Sequence, residues 1–71
     1  MTTVRTGRVA AFDARRGLGT VDGDDGTSFD FHATAIADGS RHIEEGAAVI
    51  FTVAAGHRGR YEALSIHHRP E

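Results

Sequence analysis

Residues 18–32 read LGTVDGDDGTSFDFH, and the fold is decided in that stretch. Two short runs flank the turn Gly23-Asp24-Asp25-Gly26. In the first, Leu18 to Asp22, Val21 falls on the inward side. In the second, Thr27 to His32, Phe29 and Phe31 share one face while Ser28, Asp30 and His32 share the other. A period of two is the signature of a strand, since successive side chains leave a pleated backbone on opposite sides. The Asp-Gly step between the runs tolerates the positive φ that a tight hairpin turn needs. The stretch is therefore a hairpin with one apolar and one polar face.

The same texture continues on both sides. Upstream, Arg5 to Asp13 reads as a strand that sends Val9 and its alternates one way and Arg8 and Ala10 the other, and it ends in a turn at Ala14 to Gly17. Downstream, a longer connection runs from Ala33 to Gly46, with one short helical turn at Thr34 to Ala37. A fourth strand, Ala47 to Ala54, alternates Val49, Phe51 and Val53 against Ala48, Ile50 and Thr52. A loop, Gly56-His57-Arg58-Gly59-Arg60, leads into a last strand from Tyr61 to His67. Five short strands and no long helix imply an all-β fold, a small closed five-stranded antiparallel barrel of the OB type. The inward set predicts the core: Val9, Val21, Phe29, Phe31, Ile36, Ile43, Val49, Phe51, Val53, Ala63 and Ile66.

Length and composition narrow the function. The chain has 71 residues, which suits one domain over 1–71 with its folded core at 5–67. A chain of this size buries only roughly 60% of the surface it exposes when unfolded. Most apolar residues are thus committed to the core, and little is left to wall a catalytic cavity. No serine has a sequence cue for a positioned base, the carboxylates sit mostly in turns, and Gly17-x-Gly19 lacks the strand-turn-helix setting of a nucleotide-binding loop. An enzyme is not expected, and no cofactor is. The chain has no cysteine, so neither a disulfide framework nor a cysteine-based zinc site is available; His67 and His68 point to opposite faces of a strand and make a poor chelate. No apolar run approaches the length of a membrane helix and no apolar leader is visible, so the expectation is a cytoplasmic protein without membrane contact.

The order of motifs resembles the bacterial cold-shock domain. That family opens on a G-x-V-K-W-F-N strand, matched here by Gly7-Arg8-Val9-Ala10-Ala11-Phe12-Asp13. Its K-G-F-G-F-I segment corresponds to Arg16-Gly17-Leu18-Gly19-Thr20-Val21, its acidic D-D-G turn to Asp24-Asp25-Gly26, and its V-F-V-H-F-S-A-I strand to Phe29-Asp30-Phe31-His32-Ala33-Thr34-Ala35-Ile36. The later E-G-x-x-V-x-F-x-V-x-x-G block runs position by position from Glu45 to Gly56, and the last strand matches with one extra residue near Arg60. The resemblance covers Gly7 to Ile66. It implies an OB-type barrel that binds single-stranded RNA or DNA on exposed rings of its second and third strands and their neighbours.

Most of those rings are replaced. The family's tryptophan position is Ala11, its two phenylalanines on the second strand are Leu18 and Thr20, the exposed phenylalanine of the third strand is Asp30, and the one after the histidine is Ala33. Phe12 and His32 remain. A stacked base is worth about 1–3 kcal/mol, so roughly four lost contacts at even 1 kcal/mol each remove about 4 kcal/mol, near a thousandfold in affinity. Inward positions stay large and apolar while outward ones become small or polar, as solubility favours once exposed rings go unused.

The candidate binding residues follow. His32 stands either as a base-stacking imidazole or as a solvated neighbour of Asp30. Phe12 either stacks a base or covers the barrel edge. Arg15 and Arg16, adjacent cations in an exposed turn, suit phosphate contacts, and Arg8 on the first strand is a weaker version of the same. Arg58, Arg60 and Tyr61 form a basic, glycine-bearing tip whose guanidinium planes and ring are suited to stacking. Leu18 and Thr20 complete the face. All eight cations are arginine and the net charge is −2, so the expected interaction with single-stranded nucleic acid is weak and of little sequence specificity. The alternative is a protein-interaction module or self-association through the stripped face of Leu18, Thr20, Ile50 and the alanines.

Overall fold

A computed structural model of the chain describes residues 4–56 and 60–70. Five strands run in order: β1 (Val4–Asp13), β2 (Leu18–Gly23), β3 (Ser28–His32), β4 (Ala48–Ala55) and β5 (Tyr61–His68). They close into a barrel in the order β1-β2-β3-β5-β4. The seams β1·β2, β2·β3, β1·β4 and β4·β5 are antiparallel. The fifth departs from the all-antiparallel expectation: β3 and β5 run parallel, with Asp30 paired to Glu62. The long connection carries the chain across the barrel between β3 and β4, and β5 then returns along β3 in the same direction. The short helical turn is a 3-10 turn at Ala33–Ala35, starting one residue and ending two residues earlier than expected.

The 18–32 hairpin forms as read. Gly26 takes φ +89°, the Gly23 N–H donates to the Thr27 carbonyl at 2.7 Å, and Asp25 Oδ1 accepts from the Thr27 N–H at 3.0 Å. The turn is tied back to β1 and to the C-terminal end: Thr6 donates its hydroxyl to Asp24, Arg5 pairs with Asp25 at 3.0 Å, and Arg69 reaches Asp24 at 3.4 Å.

Ten of the eleven expected core residues are buried, and Ala33 and Ala48 join them. Phe29 and Phe51 meet at a ring-centroid distance of 5.5 Å. Burial of each large side chain contributes roughly 1.5–3 kcal/mol, which a chain this short needs. Val53 is the exception. It lies half-buried at the barrel mouth, beside Arg5, Thr27 and Tyr61.

Two bulges shift the alternation. In β1 the register slips between Val9 and Ala11. An extra residue inverts every side chain beyond it, so Ala11 and Asp13 face outward and Phe12 turns in toward Gly19 and Phe31, contrary to a simple period from Val9. In β5 the register slips opposite Phe51, where Ser65 takes φ +50°. This second bulge lets Ala63 and Ile66, three residues apart, both face the core.

Candidate functional site

The outer face of β1, β2 and β3 builds an open groove of about 480 Å³. Cross-strand pairing places its side chains in rows. Asp13, Leu18 and His32 form one row, and Ala11, Thr20 and Asp30 form the next. The floor between them is Gly19, with Phe31 beneath it. Phe12 lies parallel to Phe31 at a centroid distance of 5.9 Å, and His42 from the long connection meets Phe12 edge-on at 5.9 Å. Phe12 therefore seals the barrel edge and shows the groove only part of its ring. Of its two sequence readings, the structure favours packing.

The groove's charge is set partly by residues that sequence reading did not single out. Asp13, Glu45 and Glu62 line it beside Asp30, and Arg16 is the arginine among them. Asp30 is engaged by Arg60 at 3.2 Å, and His32 Nε2 lies 3.9 Å from Glu62 Oε1. Glu62 became a groove residue because the parallel seam lays β5 against Asp30, a pairing that no local pattern announces. Its alternation with Tyr61 and Ala63 in the last strand is the one trace it left. Glu45 reaches the groove from the connection ahead of β4, its carboxylate accepting from the Phe12 N–H at 3.5 Å.

The remaining candidates distribute unevenly. Arg15 and Arg16 sit in a turn whose backbone N–H groups both donate to Asp13 Oδ1, at 3.1 and 3.2 Å; Arg16 lines the groove and Arg15 stands outside it. Arg8 is not part of the groove. It donates to the Gly46 carbonyl at 2.9 Å, clasping the loop before β4. Arg60 and Tyr61 line a second, smaller groove of about 300 Å³ with Thr27, Ser28, Phe29 and Asp30. Asp30 belongs to both grooves and joins them into one path across the sheet. Tyr61 is 62% exposed, so it is an available ring. Arg58 lies outside the described residues.

Two expectations about the stripped face are corrected. Ala33 is buried, its N–H donating to the Gly17 carbonyl at 2.8 Å, and so is no part of an exposed surface. Ile50 pairs with Thr6 and His67 on the β1–β4–β5 side, away from Leu18 and Thr20. These residues do not form one interaction surface. Arg5 is a further cation that sequence reading passed over: it lies over the Phe29 ring at 5.6 Å while holding Asp25. Among the described residues, no helix is long and apolar enough to cross a membrane.

Comparison with known proteins agrees with this geometry. The model of the 'Cold-shock' DNA-binding domain matches residues 5–68. The chain is 41% identical over 54 residues to the cold shock-like protein CspC of Bacillus cereus, an alignment covering 75% of this chain and 83% of that one. In three dimensions it is similar to the Drosophila Unr CSD456 structure, with a TM-score of 0.79 and 29% identity over 96% of this chain. It spans only 27% of that structure's chain.

Proposed function

The chain belongs to the cold-shock domain family, and from that premise we propose that it binds single-stranded RNA or DNA across the β1–β2–β3 face, weakly and with little sequence specificity along most of the strand. The observation that carries this reading is the continuous path from Arg16 through Leu18 and His32 to Asp30, Arg60 and Tyr61. Cations stand at both ends of that path, where phosphates are best accommodated. Flat or apolar side chains, Leu18, His32 and Tyr61, lie along it where bases would rest. The carboxylates in the middle oppose phosphate and account for low affinity.

The test is fluorescence anisotropy with labelled single-stranded oligonucleotides at low and at physiological salt. Two phosphate-contacting arginines, Arg16 and Arg60, give an expected slope of about −1.4 for log affinity against log salt. Replacing Arg16 and Arg60 together by Gln flattens the slope. A protein that shows no saturable signal even at low salt does not have this function.

A further inference from the structure

The two rows facing the groove differ in chemistry, and their spacing suits a nucleobase. Leu18 and His32 offer an apolar side chain and a flat imidazole. Thr20 and Asp30, two residues along each strand, offer polar atoms. Two residues along a strand span about 6.6–6.8 Å. Allowing about 2.8 Å for a hydrogen bond, about 4 Å remains, close to the distance from the middle of a base to its pairing edge. A base lying flat on Leu18 and His32 thus brings that edge to Asp30.

Asp30 presents acceptors only when ionised. Its Oδ2 takes the Arg60 guanidinium at 3.2 Å, and Oδ1 makes no hydrogen bond among the described residues. The ion pair is open to water, with side chains 76% and 53% exposed. Such a pair is easily exchanged, so Arg60 is able to turn to a phosphate while the carboxylate meets a base. Asp13, Glu45 and Glu62 surround the same space, so the centre of the groove repels phosphate and favours hydrogen-bond donors. Among the standard bases, guanine carries two adjacent N–H donors on its pairing edge. Uracil and thymine flank a single N–H with two carbonyls, which a carboxylate repels. Adenine and cytosine set one amino group beside a bare ring nitrogen.

We propose that Asp30 makes this groove a guanine-reading position, its carboxylate accepting from the N1–H and the 2-amino group of a guanine held flat against Leu18 and His32. The inference rests on the nucleic-acid reading above and assigns it one selective position.

The experiment compares short labelled oligonucleotides of uridine, and of deoxythymidine, with the same strands carrying one central guanine. A bidentate base contact discriminates by about 1–3 kcal/mol, so the guanine strand is expected to bind at least about fivefold more tightly. Hypoxanthine in place of guanine lacks the 2-amino donor and is expected to lose most of that gain, a readout that needs no protein variant. Asp30→Asn, at an exposed position, removes the preference and raises affinity for the uridine strand, with the fold checked by its melting curve. Equal affinity for guanine and uridine strands, or a guanine preference that survives Asp30→Asn, overturns the proposal. Binding without guanine preference overturns this inference alone; no binding to any strand overturns the nucleic-acid reading along with it.

Discussion

Gly19 shows how much one residue of the groove floor constrains. A Cβ at this position would enter the space of the Phe31 ring and lie 2.7 Å from the Ala11 carbonyl. Neither has room to retreat: the ring is core, and the carbonyl belongs to the strand paired alongside. Gly19→Ala is therefore expected to destabilise the fold by roughly 1–3 kcal/mol, the usual cost of overpacking, read as a lower midpoint in urea or thermal melts. Asp30 is the converse case, a position where the fold tolerates change and binding does not. Asp30→Phe returns a ring to the outer face, and anisotropy is expected to show affinity for a uridine strand rising roughly five- to a hundredfold. The same variant is expected to lose any guanine preference, because a ring stacks on every base and hydrogen-bonds to none.

At the scale of elements, the 18–32 hairpin supports the clearest pH prediction. The Asp25 carboxyl is held below its ordinary value of 3.8, chiefly by the Thr27 backbone N–H, which outweighs the opposing effect of desolvation, with the Thr27 hydroxyl and Arg5 adding smaller contributions. The fold thus prefers the ionised form. The stabilisation is present above 3.8 and is lost as pH falls through the lower, folded value. Asp25→Asn keeps an acceptor for Thr27 but gives up the charge, so the difference in melting temperature between the two proteins is expected to be widest near neutral pH and to close in strong acid. The strands, this turn and nearly all of the core were legible in the sequence, because period-two alternation and an Asp-Gly step are local signals. The bulge in β1 was not. It is a property of two paired strands, and it exchanged the faces of Ala11 and Phe12 relative to the simple alternation from Val9. The parallel seam was hidden for the same reason, and with it the place of Glu62 beside Asp30. Leu18, Thr20, His32 and Arg16 were found because the family resemblance carried them. Asp30 was found the same way, but the rest of the acidic lining was missed because Asp13, Glu45 and Glu62 come from a strand end, a connection and the closing strand.

For the whole molecule, charge sets the conditions under which a polyanion is held. The net charge is −2 with histidines neutral and rises to +3 when all five are protonated. One of them lines the groove, His32 opposite Glu62, and a second, His42, meets Phe12 edge-on and lies 3.9 Å from Glu44. Histidine is the side chain that gains positive charge across this range, so binding is expected to strengthen as pH drops from about 8 to about 6, and His32→Gln to reduce that gain. A flat affinity across this range removes histidine from the account. The seam that closes the barrel has a mechanical consequence as well. Strand β3 is joined to β5 through a single register pair, Asp30 with Glu62, with Ile36 and Ile66 bridging beyond it, whereas the other seams run for five or more pairs. The hoop is thus weakest directly under the face proposed to hold nucleic acid. Amide deuterium uptake is expected to proceed fastest along that join, and a strand gripped by Asp30 on one side and Arg60 on the other would act as a clamp, slowing exchange at backbone sites that the nucleic acid never touches.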